Sequence, residues 1–390
     1  MRHHLLAAVA ALCCAASVQA KDIVVAHVHS KTGPLQAYAV DVQRGLELGI
    51  NYATGGTNTV AGRKIKLIEK DDQGKPDVGK SLLAAAYADD KADVAFGATS
   101  SAVALAQAPV AEEYKKVLIH PTAVADSITG DKWNRYIFRT GRSSTHDALG
   151  NAAVLDKEGY SIATLAQDYA FGRDGIKAFK EAIKKANIVH EEYLPVNTTD
   201  FTAGAQRLID ALKDKPGRKF IYINWAGAGN PFKIADMDLK RYGIEVATGG
   251  NTLPGLALYK ALPGMEGSIY YYYGIPKNPV NNWLVTEHYR LYKNPPDFFT
   301  VAGMTAGIAL VEALKKTNGD TKTEKLIAAL EGLTFETPKG KTIIRKEDHQ
   351  ALINMYHFKI KLDPALPWAV PEFIREIKIE DMPLPIRNKS

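Results

Sequence analysis

The chain has 390 residues, with 49 Lys and Arg against 43 Asp and Glu, a formal net charge of +6. Its basic residues come in twos and threes among acids, as at Arg63-Lys64 and Lys184-Lys185, with no basic stripe carrying stacking aromatics, which argues against a nucleic-acid partner. The length exceeds the ~250 to 300 residues at which a single core stops growing, so two domains are expected.

The first twenty residues have the layout of a secretory signal peptide. Arg2 supplies the positive start, residues 5–16 form an apolar run, and Val18-Gln19-Ala20 precede the polar Lys21. The run is shorter than the ~20 residues a membrane-spanning helix needs, and later uncharged stretches are interrupted by Ser, Gln, Thr or Pro. The expectation is a mature chain exported to the periplasm and not membrane-inserted. Both cysteines, Cys13 and Cys14, fall within the leader, so the mature chain is expected to have no disulfide or thiol chemistry.

From Lys21 onward, short β-rich runs alternate with amphipathic windows. The run 23–26 is followed by a helix with Val42, Leu46, Ile50 and Ala53 on one face, ended by Gly55-Gly56. Ile65 and Leu67 mark a second strand, and Pro76 suits the first turn of the next helix. Further strands are predicted at 94–96, 117–119, 137–139, 162–165, 220–223 and 269–273, and a helical face at Ile176, Phe179 and Ile183. This alternation predicts an α/β protein with two doubly wound lobes. In the tail, 355–361 and 373–379 read as alternating strands separated by a Pro-rich stretch, expected to cover a lobe or reinforce a hinge.

In open α/β sheets, ligands bind beyond the carboxyl ends of the strands, where helix N-termini present free N–H groups. Gly97-Ala98-Thr99-Ser100-Ser101 is the clearest such turn, because a buried strand ends in Gly and hydroxyls open an Ala-rich helix running to Tyr114. Those groups suit a carboxylate, although a plain helix cap explains the same residues. Pro109 is expected to kink this helix. The turn His120-Pro121-Thr122-Ala123-Val124 follows the next strand and would lie beside the first. Aromatic residues gather at strand ends and loops, at Tyr38, Tyr169, Phe171, Trp225 and Phe299, as walls of a pocket or as ordinary packing.

Taken together, the leader, Gly33-Pro34-Leu35-Gln36-Ala37-Tyr38, Gly97-Ala98-Thr99-Ser100-Ser101, the segment 163–172 (ATLAQDYAFG) and Phe220-Ile221-Tyr222-Ile223-Asn224 resemble the type I periplasmic solute-binding proteins of the branched-chain amino acid transport family. The resemblance runs through essentially the whole mature chain. It implies the periplasmic binding protein-like I fold, two lobes joined by a three-segment hinge, with 21–141 plus 275–345 in one and 142–274 plus 346–390 in the other. It also implies a monomer that uses no cofactor, performs no catalysis and serves the permease subunits of an ABC importer.

By that resemblance a ligand carboxylate is held by Ser101, Thr122 and Val124, with Ser100 and Ala123 adjacent, and the ring walls are Tyr38, Phe171 and Phe299. Trp225 stands where the second lobe faces the ligand. The acidic residue that holds an ammonium in the amino-acid binders corresponds to Asn251 here. A buried ammonium without a counter-charge is costly, which favours an aromatic or aryl-oxo acid over an amino acid. Asp168, in a neighbouring loop, is the residue that would restore amino-acid binding.

Two other classes remain open. His27-Val28-His29 places two imidazoles on one strand face, as a metal-dependent hydrolase would use, but no His-Glu-x-x-His or clustered carboxylates accompany it. Gly227-Ala228-Gly229 resembles the start of a dinucleotide loop, with Phe232 where the third glycine belongs.

Overall fold

The computed structural model describes residues 21–227, 229 and 231–389. The signal-peptide expectation, with Cys13 and Cys14, lies outside the described residues.

The chain begins with β1 (Ile23–His29), α1 (Gln36–Ala53), β2 (Thr59–Val60), β3 (Arg63–Asp71), α2 (Pro76–Ala88), β4 (Val94–Phe96), α3 (Ser101–Tyr114), β5 (Leu118–His120) and β6 (Ile137–Arg139). These strands make one sheet in the order β2-β3-β1-β4-β5-β6, parallel except for the short β2. Ile23, Val25, Ala26 and Val28 of β1 are all fully buried, as a central parallel strand covered on both faces requires.

The next stretch holds α4 (Ser144–Leu155), β7 (Tyr160–Gln167), α5 (Ala170–Ala182), β8 (Asn187–Leu194), α6 (Thr202–Leu212), β9 (Arg218–Asn224), β10 (Ile244–Thr248), α7 (Leu253–Leu258) and β11 (Glu266–Ile269). Four of its strands form an all-parallel sheet, β10-β9-β7-β8. The chain then returns through α8 (Pro279–Tyr292), α9 (Phe298–Lys316), α10 (Thr323–Leu330), β12 (Thr334–Thr337), β13 (Gly340–Ile344) and β14 (Ala351–Leu352), and ends in β15 (Met355–Lys361) and β16 (Val370–Ile377). These strands and helices build the two α/β lobes expected from the alternating pattern.

The tail strands add an antiparallel sheet, β11-β15-β16. β12-β13-β14 form another, and Gln350 beside β14 bridges to Arg139 of β6. The division expected at 345/346 falls inside this last sheet. The strand expected at 269–273 ends at Ile269, because Tyr270 and Tyr271 leave the sheet as fully buried residues of the segment leading to α8.

α1 and α9 pack against each other through glycines. A Cβ on Gly45 would stand 2.0 Å from the carbonyl oxygen of Thr300, and one on Gly303 would stand 2.1 Å from that of Val42. α9 is long and apolar enough to cross a membrane, but 89% of its apolar window is buried inside the protein, where it serves as a core helix.

Candidate functional site

The turn after β4 is built around one close approach. A Cβ on Gly97 would lie 2.4 Å from the ring of His120, the last residue of β5, so the two strand ends pack only if this position is glycine. Beyond it, Ser100 takes an extended conformation as the residue before α3, and its side chain makes no cap hydrogen bond. Ser101 Oγ accepts from the N–H of Ala125 at 3.2 Å, which leaves its own O–H free to donate. Thr122 Oγ1 donates to the Ala98 carbonyl at 3.1 Å, so that hydroxyl is committed within the turn. The N–H groups of Ser101 and Val124 make no backbone hydrogen bond among the described residues. Together they leave a cluster of donors suited to an oxyanion.

These groups line a cleft between the two sheets, with a cavity of about 80 Å³, several times the 10–15 Å³ that admits one water. Of the expected site residues, Tyr38, Ser101, Thr122, Val124, Phe171, Trp225, Asn251 and Phe299 line it. Ser100 and Ala123 are buried in the turns behind it and do not.

The rings are paired. Tyr38 stacks on Phe299 with centroids 4.3 Å apart, Phe171 lies 5.8 Å from Tyr169, and Trp225 meets Phe201 edge-on at 5.1 Å. The lobes touch at the rim. Gly227, at φ +77°, packs so closely on Pro34 and Leu35 that a Cβ would come within 2.9 Å of either. On the other side, the N–H of Leu253 donates to the carboxylate of Asp297, which caps α9. The cleft is therefore bridged on both sides by contacts between the lobes.

The cleft also contains residues that the sequence did not single out, among them Arg142, Asp147, Asn151, Tyr222, Thr248 and Tyr259. Arg142 Nε donates to both carboxylate oxygens of Asp147, at 2.7 and 2.9 Å, and its guanidinium lies 4.5 Å from the centre of the Phe298 ring. Burial pushes the Asp147 carboxyl up while Arg142 holds it down, so the acid is tied to this one partner. Arg142 and Asp147 sit where the chain passes from β6 into the first turn of α4. Nothing in their five-residue spacing signals a shared pocket.

Asn251 lines the cleft, but its Oδ1 accepts from the N–H of Thr252 at the start of α7. Asp168 does not reach the cleft: it is half exposed and pairs with Arg173. His27 and His29 stack at 3.6 Å under α1, away from the cleft, bonded to Gln43 and Glu69. Burial holds both imidazoles neutral, His29 lowered to about 4. No group of three or more His, Cys, Asp or Glu side chains able to hold a metal occurs among the described residues, so the hydrolase alternative gains no ligand set.

Two α/β lobes closed over a ring-walled cavity with hydroxyl and amide donors at strand ends define a solute-binding protein. Residues 22–364 match the periplasmic binding protein family, and the chain belongs to that family, which implies a periplasmic location and a solute-binding role in ABC-type transport. It is similar to an ABC-type branched-chain amino acid transporter from Rhodopseudomonas palustris CGA009, 62% identical over 95% of this chain and 100% of that one, with a TM-score of 0.84. A solute-binding protein of an ABC transporter from Rhodopseudomonas palustris BisB5, solved with 3,4-dihydroxybenzoic acid, is 29% identical over 93% and 99% of the two chains, with a TM-score of 0.80. A Leu/Ile/Val-binding protein homologue from Brucella abortus (strain 2308) is 23% identical, covering 91% of this chain and 92% of its own.

Proposed function

We propose that the cleft captures a small carboxylate with a flat apolar part, an aromatic or aryl-oxo acid, and presents it to the permease subunits of an ABC importer. The carboxylate would take the O–H of Ser101 and the N–H groups of Ser101 and Val124, with Thr122 beside them. Tyr38 and Phe299 would cover the ring from one lobe, Phe171 and Trp225 from the other, with Asn251 alongside. Contacts from both sides favour the closed form by their differential affinity for it.

The observation that carries this reading is the state of Asp147, the one acid lining the cleft among the described residues. Both oxygens of Asp147 are held by Arg142, so a ligand ammonium would meet no unpaired anion and would lose its hydration uncompensated. The 3,4-dihydroxybenzoic acid complex of the 29% identical protein supports the same choice.

A second reading, a branched-chain amino acid or amide in the same cleft, draws on the 62% identical transporter and on the presence of Asp147 itself. Thermal denaturation with benzoate, 3,4-dihydroxybenzoate, phenylpyruvate and leucine separates the two, since a ligand at a hundred times its Kd adds about 2.7 kcal/mol of stability. Stabilisation by an aromatic acid supports the first reading; stabilisation by leucine and by no aromatic acid replaces it with the second.

A further inference from the structure

The guanidinium of Arg142 is left with its recognition edge open. The side chain is held at its base, because a Cβ on Gly141 would lie 2.1 Å from the Pro121 carbonyl oxygen, and because Ser144 donates to the Val124 carbonyl through N–H at 2.7 Å and Oγ at 3.0 Å. It is 12% exposed, lines the cleft and is covered on one side by Phe298.

An Arg–carboxylate pair usually forms two parallel bonds that engage the fork of the guanidinium. Here Asp147 places both oxygens on Nε alone, and Nη1 and Nη2 make no hydrogen bond to the protein among the described residues. The four N–H donors of Nη1 and Nη2 find no acceptor among the described residues and face the cleft, where a ligand oxygen can take them. Arg142 makes no hydrogen bond to Ser101, Thr122 or Val124, so its fork stands as a set of donors additional to theirs around the same cavity.

We propose that the Nη1/Nη2 fork of Arg142, aimed by Asp147, holds a second oxygen function of the ligand, so that the cleft selects acids carrying an additional phenolic or keto oxygen over acids with a carboxylate alone. This rests on the aromatic-acid reading and narrows it. A guanidinium keeps its charge at all physiological pH and presents its donors in a plane, which suits an oxygen on or conjugated to a ring. Asp147 acts as a positioning residue: by occupying Nε it fixes the direction of the fork.

The test is isothermal calorimetry of the full mature chain with benzoate and with 3,4-dihydroxybenzoate. The wild type is expected to favour the dihydroxy acid by tenfold or more. Arg142→Met combined with Asp147→Asn, which removes the fork without leaving an unpaired carboxylate in the cleft, should bring the ratio of the two affinities close to one, and Arg142→Lys, which keeps the charge but not the fork, should retain part of the preference. Ser101→Ala serves as the contrast, weakening both acids by the same factor and showing that the fold tolerates a cleft substitution. Equal wild-type affinity for the two acids, or an Arg142→Met/Asp147→Asn variant that keeps the wild-type ratio, overturns the role given to the fork while leaving the aromatic-acid reading standing. A wild type that binds leucine and neither acid overturns both.

Discussion

The backbone N–H of Gly227 donates to the phenolic oxygen of Tyr38 across the mouth of the cleft, at 2.9 Å. The two groups belong to different lobes, so this bond exists only when the lobes have met, and it places a polar tie beside the Tyr38–Phe299 ring stack.

Tyr38→Phe keeps the ring and removes that tie. A neutral hydrogen bond contributes about 1 kcal/mol net, so affinity should fall roughly fivefold. The loss should appear as faster ligand release with little change in the association rate, because the bond forms after capture. Stopped-flow fluorescence resolves the two rates, and an unchanged release rate would remove the tie from the closing mechanism.

Ser101→Ala removes the O–H that the turn leaves unspent, since Ser101 Oγ only accepts, from Ala125. Losing a hydrogen bond to a charged group costs about 1 to 2 kcal/mol, or roughly a five- to thirtyfold rise in Kd. Calorimetry that finds wild-type affinity in this variant would take Ser101 out of the site.

Asp297 provides a pH test. Burial, and then the nearby Asp41 carboxylate, push its carboxyl up to about 7, against the pull of the Phe298 and Leu253 N–H groups; burial likewise raises Asp41 to about 6. Because the folded value lies above the unfolded value near 4, the stability tied to Asp297 is full below pH ~4 and is lost as pH rises through 7. Asn caps helices as well as Asp and does not titrate. The stability of wild type relative to Asp297→Asn should therefore fall by about 1 to 2 kcal/mol from pH 5.5 to pH 8.5. A difference between the two that stays constant in melts across this range would show that Asp297 does not titrate there.

Gly303→Ala tests the helix pair that carries the ring stack. The added methyl would collide with the Val42 carbonyl, and the overpacking cost of about 1 to 3 kcal/mol outweighs the better helix propensity of Ala. The melting temperature should drop by several degrees. Ligand affinity should fall as well, since Tyr38 and Phe299 ride on the two helices being forced apart. A variant with wild-type stability would mean that the helices separate freely.

The sequence made the lobes legible wherever burial is two-sided. Runs such as 94–96 and 137–139 are uniformly apolar except Arg139 and became parallel strands with the expected bounds. β8 escaped notice because its residues NIVHEEYL are mostly only half buried at the edge of their sheet, so neither an apolar run nor a clean alternation marks it.

At the cleft, the strand-end rule located Ser101, Thr122 and Val124, because a Gly or small-residue turn before a helix is a local signal. Arg142, Asp147 and Asn151 carry no such signal. They reach the cleft because the chain changes lobes beside them, which is a property of the tertiary arrangement. Thr122 lines the cleft, but its hydroxyl donates to the Ala98 carbonyl, a bond within the turn that the local sequence does not reveal.

The pairing of β11 with β15 ties residue 266 to residue 359, and a separate bridge ties Arg139 to Gln350, so residues near the end of the chain reach back to both lobes. Neither lobe can therefore finish as the polypeptide emerges from a pore, since each waits for a partner near the end, Gln350 for one and β15 for the other. Such distant closures slow folding. A chain truncated before Met355 should yield no separately folded piece, and a chaperone that shields the growing chain would have to hold it almost to the last residue.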